Sequence, residues 1–198
     1  MTGLQNPLKV FISYSHKDKQ MKEKLILHLS AMIRQKYIML WYDNMILPGK
    51  EIDEEILKKM RSSQIVLLLL SADYLASEYC YDIEMQEALM LRSQKKMEVI
   101  PILLRPVDLK GTLVDGLMTL PEDRQAITLF QDEDEAYKNV TDGIRRVVEA
   151  WYSRLISNRD DDDVKRQVKA KPHHDNYGFE FYGSVHGGNY IINNISKE

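Results

Sequence analysis

The chain has 198 residues, enough for one ordinary domain and a remainder, and its 44% hydrophobic and 29% charged residues make a soluble globular composition. A formal net charge of −3 leaves no basic excess to neutralise phosphates, so nucleic acid is not an expected partner. The single cysteine, Cys80, excludes an internal disulfide and agrees with a reducing compartment.

The opening MTGLQNPLKV shows no basic stretch followed by an apolar core, and the longest apolar run, IVLLLL (65–70), is far too short to cross a bilayer. A cytoplasmic protein with no membrane partner is the expectation. KVFISY (9–14) reads as a first strand and KDKQMKEKLILHLSAMIRQ (17–35) as an amphipathic helix. YIMLWY (37–42) is a second strand, followed by the turn-rich DNMILPGKE (43–51) and a helix over 52–63. QIVLLLL (64–70) is a third strand, and a helix over about 77–94 follows it. EVIPILL (98–104) is a fourth strand and AITLF (126–130) a short fifth, with a last amphipathic helix over 132–155. Strands alternating with helices, apolar almost without alternation, predict a parallel sheet covered on both faces. The expected fold is α/β, a flavodoxin-like doubly wound sandwich with a five-stranded parallel sheet.

After Leu155 the composition changes. Residues 156–176 carry an acidic run and then a basic one, with almost nothing to bury, and read as a charged linker. Residues 177–198 alternate aromatic and β-branched residues with Gly and Asn: a strand-like tail, too small for a core of its own, that packs on the main domain or pairs with copies or a partner.

Ligands of such sheets bind beyond the C-terminal strand ends, which directs attention to SYSHKD (13–18), WYDNMILPGKE (41–51) and SADYLASEYC (71–80). No P-loop, dinucleotide-binding GxGxxG or GxSxG elbow stands at those places, the five histidines match no zinc spacing, and no metal site is expected. A phosphoacceptor receiver would need acids where the first and third strands end in SYS and LLS. In SEYCYDIEMQEALM (77–90), Cys80, Tyr81, Met85, Ala88 and Leu91 gather on one helical face while Asp82, Gln86 and Ser93 lie opposite. Glu84 breaks the rule by standing inside the apolar face. Two readings follow from spacing: a carboxylate kept for chemistry, or a first turn only partly covered, where an acid favours the positive helix end.

FISYSHKD (11–18), WYDNMILPGKEIDEEI (41–56), LLLLSADYLASEYCYDIEM (67–85) and VIPILLRP (99–106) together resemble the Toll/interleukin receptor (TIR) homology domain, in the form of its bacterial NAD-cleaving members, over about residues 7–155. The resemblance implies that Glu84 is catalytic, cleaving the nicotinamide–ribose bond of NAD to nicotinamide and ADP-ribose or a cyclic product. It implies NAD as substrate and no other cofactor. Ser13, Tyr14 and Ser15 would line the nucleotide pocket, with Trp41, Asp43, Tyr79 and Tyr81 as further binding residues. The plainer alternatives are turn chemistry for Ser13 to Ser15 and Asp43, and core for Trp41. Ile46, Leu47, Pro48 and Gly49 would form the so-called BB loop of TIR–TIR contact, making a second copy the expected partner. Anti-phage defence through self-assembly, with the tail receiving a signal, completes that picture; a non-catalytic signalling scaffold is the alternative. One departure stands out. Many enzymatic members place an aromatic residue four positions before the glutamate, where this chain has Cys80, flanked by Tyr79 and Tyr81.

Overall fold

A computed structural model of the chain describes residues 6–42 and 52–169. Contacts divide the chain into two units, 1–154 and 155–198. Asp43 and the loop residues Ile46 to Gly49 lie outside the described residues, as does the tail from 170 onwards.

Four parallel strands form the sheet: β1 (Leu8–Tyr14), β2 (Ile38–Trp41), β3 (Ile65–Leu70) and β4 (Glu98–Leu103), in the order β2-β1-β3-β4. Register sets Phe11 beside Trp41 and Val66, and Tyr14 beside Leu69. Every residue of β3 is buried, as a central strand covered on both faces requires. Burying each of those aliphatic side chains contributes about 1.5–3 kcal/mol.

The period of two along the strands builds two cores. Val10, Ile12, Leu67, Leu69 and Ile102 face one side, with Leu25, Leu29 and Met32 from α1 (Lys19–His28), α2 (Ser30–Arg34) and the turn between them. The same side receives Ala136, Val140, Ile144 and Val148, four apart on α6 (Glu133–Lys169). Phe11, Val66, Leu68 and Leu70 face the other side, with Ile56 and Met60 of α3 (Ile52–Arg61), Tyr74 of α4 (Ala72–Leu75), and Ala88 and Leu91 of α5 (Gln86–Ser93).

The fifth strand expected at 126–130 does not form. Ile127–Leu129 is a 3₁₀ turn, with Ala126 and Ile127 buried in succession where a half-buried strand would alternate. The place beside β4 goes to Leu120, bridged in parallel to Ile102: its N–H donates to Pro101 O at 2.8 Å and its carbonyl accepts from the Leu103 N–H at 2.7 Å. Pro121, next in the chain, has no N–H with which to extend the pairing. Leu120 also accounts for the glycine inside α6: a Cβ at Gly143 would stand 2.6 Å from Leu120 Cδ2. The last helix also runs past the expected 155 to Lys169, since no Gly or Pro interrupts the sequence before Pro172.

Candidate active site

The strand order reverses between β1 and β3, and in such sheets the crevice beyond their C-terminal ends is the ligand site. A cavity of about 410 Å³ lies there. The end of β1 and the turn after it bring Tyr14, Ser15, His16 and Lys17 to its wall, α3 brings Ile56, and the segment after α4 brings Ser77, Tyr79, Cys80 and Glu84.

Ser77 caps the helix that carries the carboxylate, its Oγ accepting the Cys80 N–H at 3.2 Å. From Tyr79 to Met85 that helix is wound as a π-helix before continuing as α5. Cys80, Met85, Ala88 and Leu91 are buried, Tyr81 is half-buried, and Asp82 and Gln86 face solvent. Glu84 is 5% exposed. Strand alternation puts Ser13 on the same side of β1 as Phe11, facing this helix. The Ser13 hydroxyl donates to Glu84 Oε2 and lies 2.7 Å from the Tyr74 hydroxyl, which also reaches the Cys80 carbonyl at 3.2 Å. Two hydroxyl hydrogens therefore serve three acceptors, and the carboxylate takes the one from Ser13. Burial, and after it the charge of Glu84, holds the Tyr74 phenol well above its ordinary pKa, so Tyr74 stays a neutral donor.

A second buried acid stands at the same sheet edge. Asp18, 3% exposed, accepts from Ser71 Oγ at 2.5 Å and from Arg105 Nε at 3.0 Å. Arg105 reaches Asp73 as well, at 2.5 Å, and that hydrogen bond leads the causes that raise the guanidinium pKa. The residues that follow β1, β3 and β4 are thereby tied together. Lys22, 1% exposed on α1, donates to the Tyr14 hydroxyl at 3.2 Å, and its ammonium stands 4.4 Å from the Tyr14 ring centroid and 4.2 Å from that of Tyr42. Among the described residues no group of three or more His, Cys, Asp or Glu side chains could hold a metal ion, and no helix is long and apolar enough to cross a membrane.

The sequence model described as "TIR domain" matches residues 10–141. The chain belongs to the TIR domain family. Over 136 residues this TIR domain protein is 40% identical to the uncharacterized protein y4lF of Sinorhizobium fredii (strain NBRC 101917 / NGR234), a match covering 69% of this chain and 42% of that protein. The chain thus spans well under half of that relative. It is also similar to the TIR domain of the Toll-related receptor TRR-2 from Hydra magnipapillata, at 23% identity and a TM-score of 0.45 over 56% of this chain and 81% of the other. A further similar structure is that of the TIR domains of the activated Roq1 resistosome recognizing the effector XopQ, at 25% identity and a TM-score of 0.41, covering 48% and 56%.

Within the TIR domain the residues singled out from sequence fall into three groups. Tyr14, Ser15, Tyr79 and Glu84 come together on the cavity wall. Ser13 stands behind it, 1% exposed, with its hydroxyl engaged by Glu84 and Tyr74. Trp41 and Tyr81 are not among the described residues that line the cavity; Trp41 instead stacks on Phe11 at 5.4 Å between centroids. Tyr74, Lys22 and the Asp18–Arg105 pair were missed. Tyr74 carries a weak signal, a tyrosine directly after the Ser-Ala-Asp that follows β3, but the Ser13 hydroxyl it meets lies 61 residues away and no local pattern announces that contact.

Proposed function

We propose that this TIR domain cleaves NAD at its nicotinamide–ribose bond. The observation that carries the reading is Glu84: a carboxylate buried in a helix face, oriented by a serine hydroxyl, on the wall of a cavity beside the end of β1.

Breaking an N-glycosidic bond makes a ribosyl cation of oxocarbenium character. A glycoside hydrolase needs a second carboxylic acid to protonate its leaving oxygen. Nicotinamide in NAD is already cationic and departs neutral, so one carboxylate suffices, holding the ribose hydroxyls and stabilising the positive charge that develops on the sugar. Apolar neighbours such as Ile56 and Cys80 lower the local dielectric and strengthen that attraction. The Ser13 hydroxyl fixes one carboxylate oxygen, so orientation is set before substrate arrives. Water capturing the cation gives ADP-ribose; an adenine nitrogen of the same molecule gives a cyclic product.

Full activity on this reading requires self-association through the loop that includes Ile46 to Gly49. Kinship with a Sinorhizobium protein supports a bacterial setting, and we propose depletion of NAD in defence against phage as the role. Nicotinamide release by the purified chain, across a wide concentration range, is the test. Wild type releases nicotinamide and Glu84→Gln, folded by circular dichroism, is slower by about 100-fold or more. Equal rates in both would move the chemistry to another residue. Silence from both, with assembly forced, would leave the TIR domain a scaffold.

A further inference from the structure

Four oxygens run in series behind the cavity: Glu84 Oε2, Ser13 Oγ, the Tyr74 hydroxyl and the Cys80 carbonyl. Ser13 is bonded to Glu84 and lies 2.7 Å from Tyr74, which stands 3.2 Å from the carbonyl. Ser13 on β1 and Tyr74 on α4 are buried, so the hydrogens shared along the series are their own. A carboxylate and a carbonyl only accept, whereas each hydroxyl brings one hydrogen and accepts as well.

Counting hydrogens shows what the series lacks. With Glu84 ionised, two hydrogens serve three links. Ser13 gives its hydrogen to the carboxylate, and Tyr74 is left to choose between Ser13 and the Cys80 carbonyl, so one link stays empty. The burial that keeps the Tyr74 phenol neutral keeps its hydrogen in the series. A proton on Oε2 supplies what is missing. Glu84 then donates to Ser13, Ser13 to Tyr74 and Tyr74 to Cys80, and turning two hydroxyls fills every link.

We propose that Ser13 and Tyr74 are positioning residues that make Glu84 a proton acceptor as well as a charge: the series points toward the carboxylate while the ribosyl cation forms, and reverses toward the Cys80 carbonyl when the carboxylate takes a proton. In the reaction, the bond from ribose to nicotinamide breaks with its electron pair leaving on the nicotinamide nitrogen. A water oxygen then bonds to the ribosyl carbon, and the proton lost from that water passes to the Glu84 carboxyl. A half-turn of the carboxyl exchanges its two oxygens and brings the proton against Ser13. ADP-ribose departs, and the proton returns to solvent through the cavity. The source of the proton rests on the NAD reading; the reversal of the series does not. Tyr14, His16 and Lys17 from the end of β1 and the turn after it, and Tyr79 and Cys80 of its own helix, are the ionisable groups that share the described cavity with Glu84, while α3 brings Ile56. All are common to wild type and to variants at Ser13 and Tyr74, so differences between their titrations isolate the series.

The chain's single cysteine makes the far end of the series visible. The full chain, carrying ¹³C in the cysteine carbonyl and the glutamate side-chain carboxyls, is titrated by NMR, with Glu84→Gln assigning the carboxyl signal. As pH falls, the Cys80 carbonyl signal is expected to move through the same midpoint as the Glu84 carboxyl. Ser13→Ala raises that midpoint, because the carboxylate loses its donor, and leaves the carbonyl signal unmoved, because Tyr74 then donates to it at every pH. Tyr74→Phe lowers the midpoint by about half a unit to one unit, as the loss of one neutral hydrogen bond from the protonated form requires, and the acid limb of nicotinamide release moves down with it. A tyrosine that merely backed the Ser13 donor would give the opposite sign. A raised midpoint in Tyr74→Phe overturns the proposal, as does a carbonyl signal that ignores Glu84 in the wild type or still follows it in Ser13→Ala. A Glu84 that stays ionised until acid unfolds the chain overturns it too. The two variants report separately, so if one fails to fold the other decides. Should the wild type release no nicotinamide at any concentration, the NAD reading fails on that result alone, and the carbonyl titration still decides the series.

Discussion

Two buried acids stand at the same edge of the sheet, and they are held differently. Asp18 accepts from a guanidinium and a serine, and Arg105 carries the pair onward to Asp73, so the charge is compensated inside the protein. Glu84 accepts from the Ser13 hydroxyl and shows itself to a cavity. The first arrangement joins three strand ends. The second holds a carboxylate by a serine hydroxyl on a cavity wall. A buried acid thus signals chemistry through what it faces and who donates to it, since burial alone is nearly the same for both, at 3% and 5% exposed.

Substitutions that remove each acid should separate the two roles. The largest effect is on activity: Glu84→Gln abolishes most nicotinamide release, while its urea unfolding stays within about 1 kcal/mol of wild type, because the amide still accepts from Ser13. Asp18→Asn does the reverse. It weakens charge-assisted bonds to Ser71 and Arg105 and costs about 1.5–3 kcal/mol in the same unfolding measurement, moderated because Arg105 is partly solvated and keeps Asp73. If Asp18→Asn left stability alone but stopped catalysis, the contrast between the two acids would collapse.

Tyr74→Phe comes next, with about 1 kcal/mol of lost stability and a several-fold drop in nicotinamide release, since Ser13 then holds the carboxylate without its own donor behind it. A drop in stability with no change in rate would show that Ser13 positions Glu84 unaided. The smallest effect is in alkali. Tyr74 and Tyr137 both have phenol pKa values raised above 10, chiefly by burial, so each binds its proton more tightly folded than unfolded. Their contribution is complete below pH 10 and falls away as pH rises above it, where the unfolded chain ionises first. Stability should therefore decline above pH 10, less steeply in Tyr74→Phe, and Glu84→Gln should also soften the slope by removing the second cause of the Tyr74 shift.

Much of this architecture was legible in the chain. The uninterrupted aliphatics of IVLLLL read as a strand covered on both faces, and of the expected helix face Cys80, Met85, Ala88 and Leu91 are buried while Tyr81 is half-buried. The segment AITLF misled because β-branched and aromatic residues suit any half-buried extended stretch, while pairing is decided by a neighbour: Leu120, already seated beside β4. Around the site, local pattern could place Glu84 on the apolar face but could not see that Ser13 would serve the carboxylate from 71 residues away. Nor could it see the ammonium of Lys22 folded between two tyrosine rings, for a lysine on a helix ordinarily reads as solvent-facing. The π-helix from Tyr79 to Met85 left no trace in local propensity.

Cys80 gives the site a reporter. It is the chain's single thiol, it borders the cavity one turn before Glu84, and its Sγ donates to the Tyr14 carbonyl at 3.6 Å. At 7% exposed it meets an alkylating reagent only when that reagent enters the same space a ligand would take. The rate of labelling therefore clocks how often the cavity admits a small molecule, and any compound seated against the carboxylate slows it. Occupancy of the pocket can be read in the unaltered protein, whether or not a reaction follows.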